Sequence, residues 1–254
     1  MGSFYSTSDP CRFSKIGGRK EQQDYCDFLV LEDQNYGCWV VADGLGGHKG
    51  GSAAAKLAAS SIVQSFASSP IVSAESLKRY LDIAQNKILF AQQSNPSLYS
   101  MRTTVVALLL SPTLAVWGYI GDARLYHFHQ QNIVSVTSDH SVTQMLVDVG
   151  KIKQEDLRFD PNRNRLLRCM GSQNGFAPSI TEYQICGGND DAFLLCTDGF
   201  WEHIWENEME QDLRKASTPN EWLALLEDRL LYRVSGSYDN HSAMAVFKEK
   251  LSLE

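Results

Sequence analysis

Two apolar runs in this chain end in the same pair of residues. Cys38-Trp39-Val40-Val41-Ala42 leads into Asp43-Gly44, and Phe193-Leu194-Leu195-Cys196-Thr197 leads into Asp198-Gly199. Asp122 closes the apolar run 116–121, Asp24 opens the run 25–31, and Asp239 stands just before the last apolar stretch. Taken singly, Asp-Gly is an ordinary turn pair. Taken together, these acids stand at the ends of strand-like runs, where a rigid sheet could aim them at one point. Carboxylate and carbonyl oxygens suit a hard cation such as magnesium or manganese, whereas zinc favours His and Cys. His127 and His129 share one face of a strand-like run and would allow a zinc pair. No third N or S ligand lies near them in sequence, so core or surface histidines are the expectation.

The segment Gly44-Leu45-Gly46-Gly47-His48-Lys49-Gly50-Gly51-Ser52 lies between a strand-like and a helical stretch, as a phosphate loop would. It lacks the Gly-Lys-Ser/Thr ending of a P-loop and the G-x-G-x-x-G spacing of a dinucleotide fold. Its glycines would instead let backbone approach a cation cluster, with the Gly44 carbonyl as a donor. His48 alone is a solvated loop histidine. Beside cations it is a general acid, since an unperturbed imidazole titrates at about 6.5. Arg19 alone is a surface arginine, and beside cations a bidentate clamp for phosphate. No G-x-S-x-G elbow is present and no Cys stands in a recognisable nucleophile setting. A metal-bound hydroxide is the more economical nucleophile.

The sequence pattern supplies elements that could position these groups. Residues 25–31 and 36–42 read as a hairpin across the polar turn 32–35. Residues 52–66 and 74–93 read as helices, the second with Leu77, Leu81, Ala84, Ile88 and Ala91 three and four apart. Strands are expected at 103–110, 114–120, 124–129 and 133–137, separated by Pro112, Gly121-Asp122 and residues 130–132. Ser138 or Asp139 could cap a helix that runs to Val149 and stops at Gly150. Residues 151–164 are charged and irregular. A strand at 192–197, a helical pattern over 206–231 with Pro219 at a helix start, and a strand at 242–248 follow. Helices do not alternate singly with strands, which favours antiparallel sheets covered by helices over a doubly wound parallel sheet.

Composition sets the outer bounds. Of 254 residues, 43% are hydrophobic and 21% charged, which excludes disordered and collagen-like chains and allows a large core. No repeat or low-complexity linker divides the chain, so one domain is expected. The net charge of -7 argues against a nucleic-acid-binding surface. No apolar stretch reaches the ~20 residues that span a bilayer. The six cysteines form no C-x-x-C pair, and Cys38 and Cys196 sit in apolar runs as buried free thiols. A cytoplasmic, reducing location is expected.

Taken in order along nearly the whole chain, these segments resemble the metal-dependent protein phosphatase family, the type-2C serine/threonine phosphatases, in its bacterial form. Arg19…Gln22-Gln23-Asp24 resembles R-x-x-N-E-D, and Asp43-Gly44-Leu45-Gly46-Gly47-His48 resembles D-G-M-G-G-H. Thr103-Thr104 follows, then Gly121-Asp122-Ala123-Arg124-Leu125-Tyr126 for G-D-S-R-x-Y and Thr137-Ser138-Asp139-His140-Ser141 for T-x-D-H-S. Residues 164–171 resemble N-x-[IL]-T-R-x-L-G, and Thr197-Asp198-Gly199-Phe200 and Asp239-Asn240 close the set.

The resemblance implies an α+β fold, a four-layer α/β/β/α sandwich with two central antiparallel sheets, as one catalytic domain over 1–254 with a flap at about 143–165. It implies two Mn2+ or Mg2+ ions and room for a third. Asp43 would bridge both ions, Asp198 and Asp239 would complete one site, and the Gly44 carbonyl would serve the other. Asp24 would orient metal-bound water, and Asp122 with Asp198 matches the third-ion site. Arg19 would hold the substrate phosphate, and His48 would protonate the leaving serine or threonine oxygen. The implied partners are a phosphorylated protein and a cognate Ser/Thr kinase that it opposes. A monomer is expected, with no nucleic acid and no membrane.

Some positions depart from the pattern. Gln23 replaces a common Glu, Ala123 a Ser, Arg102 a Gly before the Thr pair, Leu167 a Thr, and His241 an Ile. None removes an expected ligand. Two other readings stay open at this level: a catalytically silent phosphoprotein-binding relative, and a hydrolase of small phosphate esters. Metal titration separates the first, and rates on phosphopeptides against phosphometabolites separate the second.

Overall fold

The strand Tyr36–Leu45 sends Cys38, Val40 and Ala42 to one side and Trp39 and Val41 to the other, and all five are buried. Side chains alternate along a strand, so a strand apolar on both faces must lie between two packed layers. The computed structural model describes residues 12–31, 35–45, 49–185 and 191–248 and shows those layers.

The strands are β1 (Arg12–Lys15), β2 (Asp24–Leu31), β3 (Tyr36–Leu45), β4 (Arg102–Thr103), β5 (Val105–Leu110), β6 (Leu114–Ile120), β7 (Arg124–His129), β8 (Asn132–Val136), β9 (Ser179–Gln184), β10 (Asp191–Cys196) and β11 (His241–Lys248). One sheet runs β1-β11-β10-β7-β8. The other runs β2-β3-β5-β6-β9, with β4 added to β3. Every pairing between these strands is antiparallel. The helices are α1 (Lys49–Ser68), α2 (Ala74–Ser94), α3 (Val142–Asp148), α4 (Asp198–Trp201), α5 (Glu206–Leu213) and α6 (Pro219–Arg233).

Three apolar cores define four layers. Ala54, Ala58 and Ile62 of α1 and Leu77, Leu81 and Ile88 of α2 pack on Val40, Ala107 and Val116 of one sheet. Trp39, Leu108 and Trp117 meet Leu125, Phe193 and Met244 between the sheets. Phe128, Leu194 and Ala245 carry Trp201, Trp222 and Leu226 on the far side. This is the α/β/β/α sandwich.

Some elements differ from the sequence expectation. The third helix is capped by Ser141, whose Oγ accepts from the Gln144 amide at 3.1 Å, and not by Ser138 or Asp139. Asp139 is engaged elsewhere, accepting two bonds of 2.8 Å from Arg124. The helical pattern over 206–231 forms two helices, the second starting at Pro219 as expected. Thr218 caps the second by accepting from the Glu221 amide at 3.2 Å, with Pro219 in its first turn. β1 and β9 are not expected from the sequence, because they are short or half-exposed strands whose residues alternate too weakly. Within 151–164 the chain forms a 3₁₀ turn, Gln154–Phe159. The turn residues 32–34 lie outside the described residues.

α5 and α6 are joined by charge. Glu208 accepts from Arg229 and Arg233, and Asp212 accepts from Arg229 and from Lys215 Nζ at 2.8 Å. Burial pushes the Asp212 carboxyl up, but the bonds from Arg229 and Lys215 win and hold it below the usual range. Its folded pKa is therefore below its unfolded one, so the stability it adds is present above about pH 4 and fades as pH falls below that. Asp212→Asn is expected to cost about 1–2 kcal/mol at neutral pH, since its partners are partly exposed. Denaturant melts should show the difference from wild type shrinking at pH 3.

Candidate metal centre

Register gathers the acids at one end of the sandwich. Asp24 opens β2 directly opposite Asp43, near the end of β3. In the other sheet, Cys196 at the end of β10 faces Arg124 at the start of β7 and Ala243 near the start of β11. Asp198, Asp122 and Asp239 lie just beyond those three strand ends. The tight β6–β7 turn at Gly121-Asp122 links the two sheets at this edge.

Asp43, Gly44, Asp122, Asp198, Asp239 and Arg19 line a single cleft of about 440 Å³. Asp24 sits behind it, buried, where its Oδ2 accepts from Thr197 Oγ1 at 2.9 Å and Ser242 Oγ at 2.8 Å. It is paired with Asp43 across β2 and β3, and the two acids interact. His48 lies outside the described residues. His127 and His129 belong elsewhere. Both rings approach Asp191 Oδ1, at 2.8 and 3.1 Å, at the opposite end of β10 from Asp198.

The electrostatics call for cations. Burial, then Asp198, Asp24, Asp122 and Asp239, push the Asp43 carboxyl well above the usual carboxylate range. Burial with Asp122, Glu202 and Asp239 does the same to Asp198. Burial raises Asp24 to about 7 against the bonds from Ser242 and Thr197. Burial and Asp139 raise Asp122 to about 7. Like charges that repel in a desolvated site are stabilised by divalent ions, which reverse the local field. The donor set is all oxygen, which fits Mg2+ or Mn2+. Among the described residues, no three or more His, Cys, Asp or Glu side chains already close into an ion-holding group. The acids surround the cleft, which suits an ion that keeps several waters in its shell. Arg19 supplies a positive charge among the acids: its Nη2 donates to Asp239 Oδ2 at 2.6 Å.

Neighbouring groups fix the acids in place. Thr103 Oγ1 and the Thr104 amide donate to the Asp43 carbonyl at 2.7 and 2.8 Å, and the Asp43 amide donates to Thr104 Oγ1 at 3.3 Å. Asn240 Oδ1 accepts from the Gln23 amide at 2.9 Å, and its Nδ2 donates to Ile16 and Glu21 carbonyls. This ties the loop bearing Arg19 to the segment bearing Asp239. Trp201 Nε1 donates to the Asp122 carbonyl at 2.9 Å, and the Arg124 guanidinium lies 3.5 Å above that indole. Ser242 and Trp201 are not among the site residues that the sequence suggests. Nothing in their spacing marks them, because their roles emerge only when β11 and α4 are placed.

Gly199 lets α4 press against the Asp239 segment. A Cβ there would lie 2.0 Å from the Asn240 carbonyl oxygen and 3.2 Å from Asp239 Cβ. Gly199→Ala is therefore expected to displace Asp239 and lower activity by about tenfold at limiting metal. Excess Mn2+ should recover part of the loss, which a metal titration of activity will read.

An acid-lined cleft at one end of a two-sheet sandwich is a cation-binding arrangement. Residues 14–230 match the family model for Protein phosphatase 2C, and the chain belongs to that family. It is 29% identical over 188 residues to the serine/threonine phosphatase stp of Listeria monocytogenes, covering 72% of this chain and 73% of that one. A crystal structure of a bacterial serine phosphatase superposes with a TM-score of 0.84 at 25% identity, covering 95% of this chain and 98% of that one. The catalytic domain of the serine threonine protein phosphatase PstP, solved in complex with two manganese ions, superposes with a TM-score of 0.78 at 22% identity. That likeness covers 94% of this chain and 97% of the other.

Proposed function

We propose that this chain hydrolyses phosphoserine and phosphothreonine in proteins, using two Mn2+ or Mg2+ ions held at the cleft. Asp43 would serve both ions, Asp198 and Asp239 one, and the Gly44 carbonyl the other, with Asp122 and Asp198 offering a third site. When bound, such ions lower the pKa of water and offset charge on the phosphoryl group. Asp24, fixed by Thr197 and Ser242, presents its carboxyl toward Asp43 as an acceptor that orients water. Arg19 exchanges its bond to Asp239 for the substrate phosphate, and His48 delivers a proton to the leaving oxygen. Residues 143–165 act as a flap within a single catalytic domain. Arg163 of this segment donates to Glu202 at 3.0 Å, just past α4.

The observation that carries this reading is the meeting of Asp43, Asp198, Asp239 and Arg19 in one cleft from distant points of the chain. The partners proposed are a phosphoprotein substrate and a Ser/Thr kinase that the enzyme opposes, and the proposed setting is a monomer in the cytoplasm. Among the described residues, no helix is long and apolar enough to cross a membrane. The test is hydrolysis of phosphoserine and phosphothreonine peptides with Mn2+ and with chelator. Cleavage should stop on chelation and return with Mn2+ or Mg2+. Full activity in chelator rejects the metal assignment, and faster turnover of small phosphate esters than of any phosphopeptide rejects the protein substrate.

A further inference from the structure

Arg102 stands where the family pattern has glycine, and the construction of the cleft does not use it. We propose that Arg102 is a specificity-determining residue that recognises a second anionic group on the substrate, next to the phosphoresidue being cleaved. The inference rests on the phosphatase reading above and narrows its substrate class to phosphoprotein segments with an adjacent acidic or phosphorylated side chain.

The position comes from register. β4 pairs with β3 so that Thr103 faces Gly44 and Arg102 faces Leu45, and both Gly44 and Leu45 line the cleft. Thr103 is fully buried, with its hydroxyl on the Asp43 carbonyl. Neighbouring side chains of a strand point to opposite faces, so Arg102 emerges on the outer side, where it is exposed. Its place opposite Leu45 sets Arg102 beside the edge of the cleft that Leu45 lines.

The charge is available. Among the described residues, Arg102 makes no side-chain hydrogen bond and no ion pair. Arg12, Arg124, Arg158, Arg163, Arg214, Arg229 and Arg233 all donate to protein acceptors. Lys20 also lines the cleft, next to Glu21. The chain as a whole carries a net charge of -7, which repels acidic peptides. A guanidinium at the rim reverses that locally, and its planar fork matches a carboxylate or a phosphate. Glycine at this position offers nothing comparable.

The test uses phosphopeptides that differ at one residue beside the phosphoresidue, taken in turn on each side: neutral, aspartate, or a non-hydrolysable phosphonate. Wild type should prefer the aspartate peptide in kcat/KM by about threefold to fivefold, the range of an exposed ion pair. The phosphonate should gain more. KM should carry the preference, and added salt should weaken it. Arg102→Gly should bring the ratio to about one, Arg102→Lys should keep part of it, and Arg102→Glu should invert it. Equal rates on all peptides in wild type, or an unaltered ratio in Arg102→Gly, would overturn the assignment while leaving the phosphatase reading in place. Failure to cleave even the neutral peptide overturns both. A gain with the phosphonate alone identifies a second phosphate as the recognised anion, and a gain with both identifies negative charge in general; either outcome supports the role of Arg102.

Discussion

Asp43→Asn is expected to lower phosphatase turnover by about a thousandfold or more and, in the same protein, to raise the thermal midpoint of the metal-free form. The two effects share one cause. Asp43 faces Asp198, Asp24, Asp122 and Asp239 in a partly desolvated cleft, and its charge is disfavoured there without cations. Removing one charge from that set relieves repulsion. For a half-buried group reached by solvent, the gain is about 1 kcal/mol, or roughly 2–4 °C for a chain of this size. On the proposed mechanism catalysis needs the same charge, because electrostatic stabilisation at an active site accounts for a factor of about 10²–10³ per group and metal retention adds to it. Metal inverts the order of stability. A ligand that binds only the folded state stabilises it by mass action, so saturating Mn2+ should lift wild type above the variant. Melts of both proteins in chelator and in Mn2+ test this directly. If the variant is the less stable protein in chelator, the acids do not repel as described and the cation-based reading of the cleft is wrong.

Antiparallel sheets covered by helices were legible because the apolar strand runs are bounded by strong turn signals, whereas the four-layer order came from the family resemblance. Residues 114–120 and 124–129 form strands with the bounds that the turns at Pro112 and Gly121-Asp122 set. The acids were legible because each ends or opens an apolar run, and strand ends are where a sheet converges. What stayed hidden depends on contacts between distant segments. Ser242 looks like any strand serine until β11 places its hydroxyl 2.8 Å from Asp24. Asp139 looks like a helix cap until Arg124 claims it from the facing strand. Arg102 reads in sequence only as a departure from the usual glycine, and the strand pairing leaves it exposed opposite Leu45. Local pattern fixes elements and their ends, whereas partners of polar side chains are set by register between strands far apart in the chain.

His48→Ala should separate two substrates that share every other step. Gly44 lines the cleft and Gly51 packs directly against Gly44, and these two described residues stand on either side of His48 in sequence. A serine or threonine oxygen leaves as a strong base unless it is protonated as the bond to phosphorus breaks, and a positioned general acid contributes about 10²–10⁴-fold to such a step. The nitrophenolate leaving from p-nitrophenyl phosphate is a far weaker base and needs little protonation. The variant is therefore expected to slow phosphopeptide turnover by about a hundredfold or more and p-nitrophenyl phosphate turnover by less than about tenfold. The alkaline limb of the pH–rate profile gives a second reading. A general acid must hold its proton, so phosphopeptide kcat in wild type should fall as pH rises through the imidazole range, and that fall should vanish in His48→Ala. Metal loss would slow both substrates together, and Mn2+ titration of the variant keeps that outcome distinct. Equal slowing of the two substrates at saturating Mn2+ assigns His48 to the architecture of the loop and leaves proton delivery to solvent.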